Sequence, residues 1–552
     1  MDKNFFGPEQ AYARWEKRQQ KNREKQLDGT RKRKYLDGMT GRIQTHLSGF
    51  LRVLVTAFIV FFQIGLILCL PMLFRENTVQ FYYLLEICAV IAIVALVNRN
   101  TSPSYRLAWI SIVLILPISG FVMYFLWGRV RGRRKRLNQH ILHQFRYGQK
   151  FLKQDPAVLD GFLAENPDTI RMVRNLSTDG FALTQANQVE YYAMGEDAFE
   201  AIFEEVAKAE RFILMDFFIV AQGALWDKMH EILKRKIKEG VEVYFMYDDF
   251  GAAIRTPKYF KQQLEHEGFQ VRVFNPIHKY TSSLYMNFRT HQKIVVVDGK
   301  VGFTGGFNLA DEYANLVSRF GVWKDTGVKI CGEGVWGLTV VFLQMWEACG
   351  VVKEHIDYLA FKADGVCDSG DTYCAVIADG PVFSPYNSIE RLYNQMINNS
   401  DEFLYITTPY LIIEDYMKMS LVEAARRGVD VRIITPAIPD KKQVKLLTNY
   451  NYGELLRGGV KIYEYTPGFI HAKQVLTEDA AIVGTVNMDY RSFYLHYENG
   501  AWLSGPQVQQ RMKKDFEETF AISREITYEE WKRRPLRWKL IQPILNLFST
   551  LM

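Results

Sequence analysis

The stretch NFRTHQKIVVVDGKVGFTGGFNLADEY, residues 287–313, decides how this chain folds, because GFIHAKQVLTEDAAIVGTVNMDYRSF, residues 468–493, repeats its pattern. Both contain H-x-K-x4-[D/E], with His291, Lys293 and Asp298 in the first and His471, Lys473 and Glu478 in the second. A glycine-bearing turn and an asparagine follow each motif: Gly305, Gly306 and Asn308, then Gly484, Thr485 and Asn487. On a strand, alternate side chains share a face, so a histidine and a lysine two residues apart project together. The pair suits phosphate chemistry, since an ammonium neutralises non-bridging oxygens while an imidazole acts on phosphorus or on a proton. The turn and the asparagine add donors to the same phosphate. One H-x-K arises easily by chance and is more often structural than catalytic. Two at equivalent places in a repeat point to function.

The repeat extends outward from the motifs. Arg211–Ala221 reads as a buried strand, Leu225–Glu239 as an amphipathic helix stopped by Gly240, and Val241–Tyr247 as the next strand. Glu402–Tyr410, Asp415–Arg427, Gly428 and Val429–Thr435 repeat that series. A glycine-led strand then precedes each motif, at 267–274 and 458–465, and the first copy has extra residues around Pro276–Asn287. Such a unit is too large for a solenoid repeat, and a duplicated α/β domain is expected.

Three apolar runs precede residue 130: Val53–Phe74, Val79–Val97 with Glu86 in its middle, and Leu107–Trp127. Each is long enough for a membrane span, which needs about 20 mainly apolar residues. The first begins too far into the chain and is too long to be a cleaved signal peptide. Basic blocks flank the runs, twelve Lys/Arg against six Asp/Glu in residues 1–48 and the cluster Arg129–Arg136. Three spans put these blocks on opposite sides, so positive flanks alone do not fix the orientation. The expectation is a multi-pass cell-membrane protein with Arg129–Arg136 and all that follows in the cytoplasm. The net charge of +7 over 552 residues sits in such local blocks, which suits an anionic membrane better than nucleic acid. No concentrated Lys/Arg run lies near either motif, as a nuclease groove would need. The six cysteines lack zinc-type spacing and read as free thiols in a reducing compartment.

On the paired motifs, the chain resembles the phospholipase D superfamily. Leu107–Arg129, GGFNLADEY, Trp323–Thr326, Thr408–Asp415, Tyr463–Lys473 and Asn487–Phe493 narrow the resemblance to bacterial cardiolipin synthases, from about residue 80 to the C-terminus. Glu478 departs from the usual aspartate, Asp216 from a usual glutamate, and Gly327 from a common histidine. The resemblance implies N-terminal transmembrane helices followed by two pseudo-twofold-related α/β/α sandwich domains. The boundaries expected are a basic extension 1–48, a transmembrane region 49–128, a basic juxtamembrane linker 129–164, domains at 165–370 and 371–525, and an amphipathic segment 526–552. It further implies phosphatidyl transfer between two phosphatidylglycerol molecules through a covalent phosphatidyl-histidine, with His291 as nucleophile and His471 as general acid and base. Lys293, Lys473, Asn308 and Asn487, with Gly305, Gly306 and Thr485, would hold the phosphate, while Asp298 and Glu478 would orient and charge-balance the cluster. Neither a metal nor a cofactor is expected, and the expected partners are phosphatidylglycerol and other anionic lipids. A hydrolase of the same superfamily is the alternative, and an inactive scaffold is disfavoured by two intact His/Lys pairs. Asp325 and Glu498 are candidates for shaping the site. His278, His355 and His496 read as ordinary loop or core residues. Trp531–Met552 mixes cations with large apolar residues, suiting either a bilayer surface or a helix packed on the catalytic domain.

Overall fold

The computed structural model describes residue 58 and residues 61–65, 78–99, 101–128, 135–253, 255–276, 287–350, 355–363, 370–382 and 387–551. The extension 1–48, most of the first apolar run, residues 129–134, His278, and the central part of the 276–287 insertion lie outside them.

Apolar strands alternate with amphipathic helices along both halves, and the strands join in one 16-stranded sheet. From one edge run Gln270–Phe274, Glu242–Asp248, Phe212–Phe217, Lys293–Val297, Val301–Gly305, Gly327–Cys331 and Leu183–Tyr192. The second half repeats that order from the other side: Lys461–Tyr465, Asp430–Pro436, Phe403–Thr407, Gln474–Thr477, Ala481–Gly484, His496–Ser504 and Thr372–Asp379, with Ser523–Ile526 added at the edge. In each half the first three strands named are parallel to one another and the other four are antiparallel to their neighbours, and the added Ser523–Ile526 is antiparallel to Lys461–Tyr465. The halves meet where Leu183 and Thr184 lie opposite Ala375 and Cys374 in an antiparallel pair, so the duplication is related by a pseudo-twofold at the sheet centre.

The helices form as their periodicity dictates. Ala224–Lys238 buries Leu225, Trp226, Met229 and Leu233 on one face and carries three cations in its last turn, where they favour the helix dipole. Gly240 stops it at φ +93°, and Gly428 stops Asp415–Arg426 at φ +101°; only glycine enters this region at little cost. Gly334–Ala348 is apolar almost all round and accordingly buried. Against it lies Lys135–Gln149, tied by Gln344 Nε2 donating to the Phe145 carbonyl at 2.9 Å. The segment expected as a linker at 129–164 is therefore, from residue 135, folded onto the catalytic body. Cys88, Cys349 and Cys374 carry free thiols.

Among the described residues no helix is long and apolar enough to cross a membrane. The second apolar run forms Thr78–Val97, with Glu86 within it. The third is divided, because Pro117 cannot donate to the preceding turn and instead begins a new helix: Pro103–Ile115 is followed by Pro117–Met123 and a π-helical turn to Gly128. These helices are docked on the second half. Ser102 and Ser104 donate to the two oxygens of Glu414 at 2.5 and 2.8 Å, and Tyr105 stacks on Tyr490 with 6.0 Å between ring centres.

Candidate active site

The two histidines stand at the junction of the halves, and each leans on the opposite half. His291 follows the short strand Arg289–Thr290, which pairs in parallel with His496–Tyr497, and its N–H donates to the Tyr497 carbonyl at 2.8 Å. His471 follows Gly468–Ile470, which pairs in parallel with Val322–Lys324, and its N–H donates to the Lys324 carbonyl at 2.7 Å. Asp248 braces the first segment from below, accepting from Thr290 N and from Arg289, both at 3.2 Å.

The carboxylates are crossed in the same way. His471 Nδ1 is 2.7 Å from Asp325 Oδ2, which belongs to the first half, and His291 Nδ1 is 2.8 Å from Glu498 Oε2, which belongs to the second. A carboxylate at Nδ1 fixes the tautomer and leaves Nε2 for chemistry. Lys293 Nζ donates to the His291 carbonyl at 2.6 Å; Lys473 Nζ donates to the His471 carbonyl and lies 2.6 Å from His471 Nδ1. Both imidazoles and both lysines are close enough that each motif's charge bears on the other's histidine.

Burial sets the electrostatics. It lowers Lys293 to about 7, against the pull of Glu498, and Lys473 to about 8, against that of Asp325. Burial followed by Lys293 holds His291 well below its ordinary value, and burial followed by Lys473 lowers His471 to about 4 although Asp325 opposes. Burial alone would raise Asp325, but His471 and Lys473 keep it below the usual carboxylate range. Glu498 is pushed up to about 8, again by burial, with Lys293 opposing. Asp325 is thus held in its charged form beside His471, whereas burial opposes the charged form of Glu498 beside His291.

The third letter of each motif does other work. Asp298 accepts from Glu210 N, Arg211 N and Phe212 N at 2.8, 2.8 and 2.9 Å, at the far end of its strand from His291. Glu478 accepts from Asp401 N and from Phe403 N in the equivalent place. Neither touches a histidine, which corrects the expectation that they orient the cluster. Each ties the end of the motif strand to the start of its neighbour, a task that a longer glutamate performs as well.

The remaining residues line the crossing. Asn308 Oδ1 accepts from Ile219 N at 2.9 Å, and the same side chain hydrogen-bonds Tyr313. Asn487 Oδ1 is buried with no hydrogen-bond partner among the described residues, and its backbone N–H donates to Ser492 Oγ at 3.2 Å. Gly305 and Gly306 lie against Thr326 and Asp325: a Cβ on Gly306 would stand 2.1 Å from Asp325 Oδ1. Thr485 takes the corresponding place in the second half and donates its hydroxyl to Glu498.

His496, which the sequence left among ordinary residues, belongs here. Its ring centre is 5.4 Å from that of His291 and its Nδ1 is 3.5 Å from Glu498 Oε1. Trp323 holds the matching position 5.5 Å from His471. A signal for the two carboxylates was available: D-T-G at 325–327 and E-N-G at 498–500 follow their motifs in parallel, and Gly305 pairs with Gly327 as Gly484 does with Gly500. His291, His496 and Glu498 also place ligand atoms within 4.8 Å of one another, a spacing that a metal ion accepts. The His291–Glu498 hydrogen bond uses the same groups.

Two duplicated lobes that each contribute an H-x-K histidine to one crossing define a phospholipase D-like protein. Residues 202–318 and 393–520 match the family model described as cardiolipin synthase, PLD-like domain, and residues 87–129 match the phospholipase D-nuclease N-terminal model. Among similar proteins, a cardiolipin synthase of Geobacillus kaustophilus is 32% identical over 89% of this chain and 97% of its own length. The major cardiolipin synthase ClsA of Bacillus subtilis is 31% identical over 85% and 98%. The crystal structure of a phosphatidylserine synthase of Haemophilus influenzae superimposes with a TM-score of 0.53 at 14% identity, covering 69% of this chain and 100% of that one, and shares the fold. The chain belongs to the cardiolipin synthase family.

Proposed function

We propose that the chain transfers the phosphatidyl group of one phosphatidylglycerol to the hydroxyl of a second, giving cardiolipin and glycerol. The crossed pair of histidine–carboxylate contacts, set over two buried lysines, carries this reading. A phosphodiester anion entering the site restores the charge of Lys293 and Lys473, which burial has made easy to lose, and the lysines then stabilise charge on its equatorial oxygens. Burial and then Lys293 keep His291 neutral, and with its Nδ1–H directed to Glu498 its Nε2 holds the lone pair, which attacks phosphorus as the bond to glycerol breaks. Ionised Asp325 and the bound anion favour the imidazolium form of His471, which passes its proton to the departing oxygen. His471 then takes the proton of the acceptor hydroxyl, whose oxygen displaces His291 and regenerates both groups. Asn308 and Asn487 are assigned to the same oxygens.

The relatives named as cardiolipin synthases favour transfer over hydrolysis. Membrane attachment, with several passes near the N-terminus and the site in the cytoplasm, belongs to the same proposal. Its support is the apolar outward surface of Thr78–Val97 and the fact that both substrates are bilayer lipids. Purified protein in phosphatidylglycerol vesicles tests the function. Cardiolipin with equimolar glycerol supports transfer, phosphatidic acid with glycerol would replace it by hydrolysis, and an absence of turnover would refute both.

A further inference from the structure

The last helix, Leu536–Leu547, has two unlike faces. Gln542 is 1% exposed and donates to the Leu446 carbonyl at 3.0 Å, and the preceding Trp531 donates to the Asn449 carbonyl at 2.6 Å, so one face is fixed on the Lys442–Arg457 helix. Leu536, Leu540 and Ile544, spaced four apart, form a stripe on the other face and are 70%, 63% and 62% exposed. Such a stripe on an otherwise well-packed body marks an interaction surface.

Two further observations select its occupant. Lys532, Arg533, Arg534, Arg537 and Lys539 cluster at the start of this segment, and no Asp or Glu occurs from Trp531 to Met552. The stripe is also continuous with the N-terminal helices. The terminal turn, Ser549–Leu551, packs on Pro103–Ile115, and that helix turns Leu114 and Ile115 outward, 59% and 69% exposed. Cations beside an apolar stripe on a helix held flat to the surface are what an anionic phospholipid interface accepts.

We propose that Leu536–Leu547 lies in the headgroup–acyl boundary of an anionic bilayer and, with Pro103–Ile115, fixes the plane of that bilayer against the second lobe. Glu414 and Tyr490 sit where Pro103–Ile115 and the segment before it meet the lobe. The choice of lipid rests on the proposed function; the orientation does not.

The test uses the full chain in vesicles of phosphatidylglycerol and phosphatidylcholine. Cysteine introduced at 540, 544 or 514, with the native cysteines changed to serine, carries an environment-sensitive fluorophore. Lys514 is the control, since its helix, Pro506–Ala521, packs on Tyr405 from the opposite face of the sheet. Lipids bearing a shallow nitroxide should quench positions 540 and 544 and leave 514 unchanged. Equal quenching at the three positions overturns the proposal. So does a label at 540 that is shielded but unquenched and responds to protein density, which would mean that a second copy covers the stripe. Quenching of the wild-type sequence should weaken as the phosphatidylglycerol fraction falls, and the double change Arg537→Glu, Lys539→Glu should weaken it at high phosphatidylglycerol fraction; unchanged quenching there would exclude the electrostatic part. Repeating the measurement with His471→Ala separates the two readings, because transfer is then lost while quenching persists.

Discussion

Asp325→Asn separates the crossed carboxylate from the carboxylate of the motif itself. The Asp325 oxygen stands 2.7 Å from His471 Nδ1 in a fully buried setting. A hydrogen bond to a charged group contributes about 1.5–3 kcal/mol, and each ~1.4 kcal/mol is a factor of ten in rate. Loss of that bond alone therefore costs about 10- to 150-fold in kcat. Asparagine adds a second penalty, since its amide N–H can face Nδ1 and hold the wrong tautomer, a change worth about 10⁴ in serine-protease triads. A fall of about 10²–10⁴ is expected, with KM changed far less because the lysines remain. Asp298→Asn should do the reverse. It removes an acceptor shared by three backbone N–H groups, so thermal stability falls by about 1–3 kcal/mol while turnover per folded molecule stays within a few-fold. Glycerol release from phosphatidylglycerol micelles and thermal unfolding of the same preparations measure both. Turnover within threefold of wild type in Asp325→Asn, or an inactive Asp298→Asn of normal stability, would refute the crossed assignment.

Other outcomes follow from the same geometry. His291→Ala and His471→Ala should each abolish transfer, and with a labelled phosphatidyl donor whose leaving group needs no proton, such as a nitrophenol ester, label should be trapped on protein in His471→Ala but not in His291→Ala; the opposite pattern reverses the roles. Burial lowers Lys293 to about 7 and Lys473 to about 8 in the empty site, so kcat/KM should fall as pH rises above that range, before kcat does, because bound diester restores the charge. Folded-state lysine values below the unfolded value of about 10.4 mean that the unfolded chain binds more protons between the two, so stability rises with pH there. Lys293→Met should accordingly stabilise the protein most near pH 7 and progressively less toward pH 10; a constant difference in melting temperature would exclude the shift. Gly306→Ala drives a methyl group into Asp325 and should lower kcat about tenfold or more, whereas Gly428→Ala, strained by its φ of +101° but far from the site, should cost about 1–2 kcal/mol of stability and leave kcat unchanged.

Much of this was legible before any coordinates, because it is local. A helix such as 224–238 announces itself by a buried face at i, i+3 and i+4 and ends at a glycine, and the parallel strands around it are uninterrupted apolar runs. The strand Leu183–Tyr192 was not legible, since LTQANQVEYY is polar and is held by pairing with Thr372–Asp379 and Gly327–Cys331, both far along the chain. Nor did the division at Pro117 stand out in a run whose composition alone satisfies a span. At the site, the histidines and lysines were readable because the repeat doubles them. Asp325 and Glu498 were readable as candidates, but not which histidine each serves, since Asp325 and His471 lie 146 residues apart and Glu498 and His291 207. The motif supplied a nearer acid, and only the fold shows that it faces the other way.

The asymmetry between the copies therefore has to be sought elsewhere than in Asp298 and Glu478, whose difference is absorbed by backbone amides. It lies across the junction: Asp325 against Glu498, Gly306 against Thr485, and Trp323 against His496. The first lobe presses a short, ionised carboxylate onto His471 and lines that side with an indole. The second presents His291 with a longer acid that shares Thr485 and His496 and whose charged form burial opposes. A histidine that must gain and return a proton is served by the partner that favours its imidazolium, and one that must keep a lone pair by the partner that favours it less. Duplication made the two imidazoles equivalent, and because each is controlled by the other lobe, separate substitutions could make them unlike without disturbing either motif. Glu498→Asp with Thr485→Gly would remove two of these three differences, and transfer should slow as His291 gains basicity and stands more often as imidazolium, whose Nε2 has no lone pair to attack phosphorus.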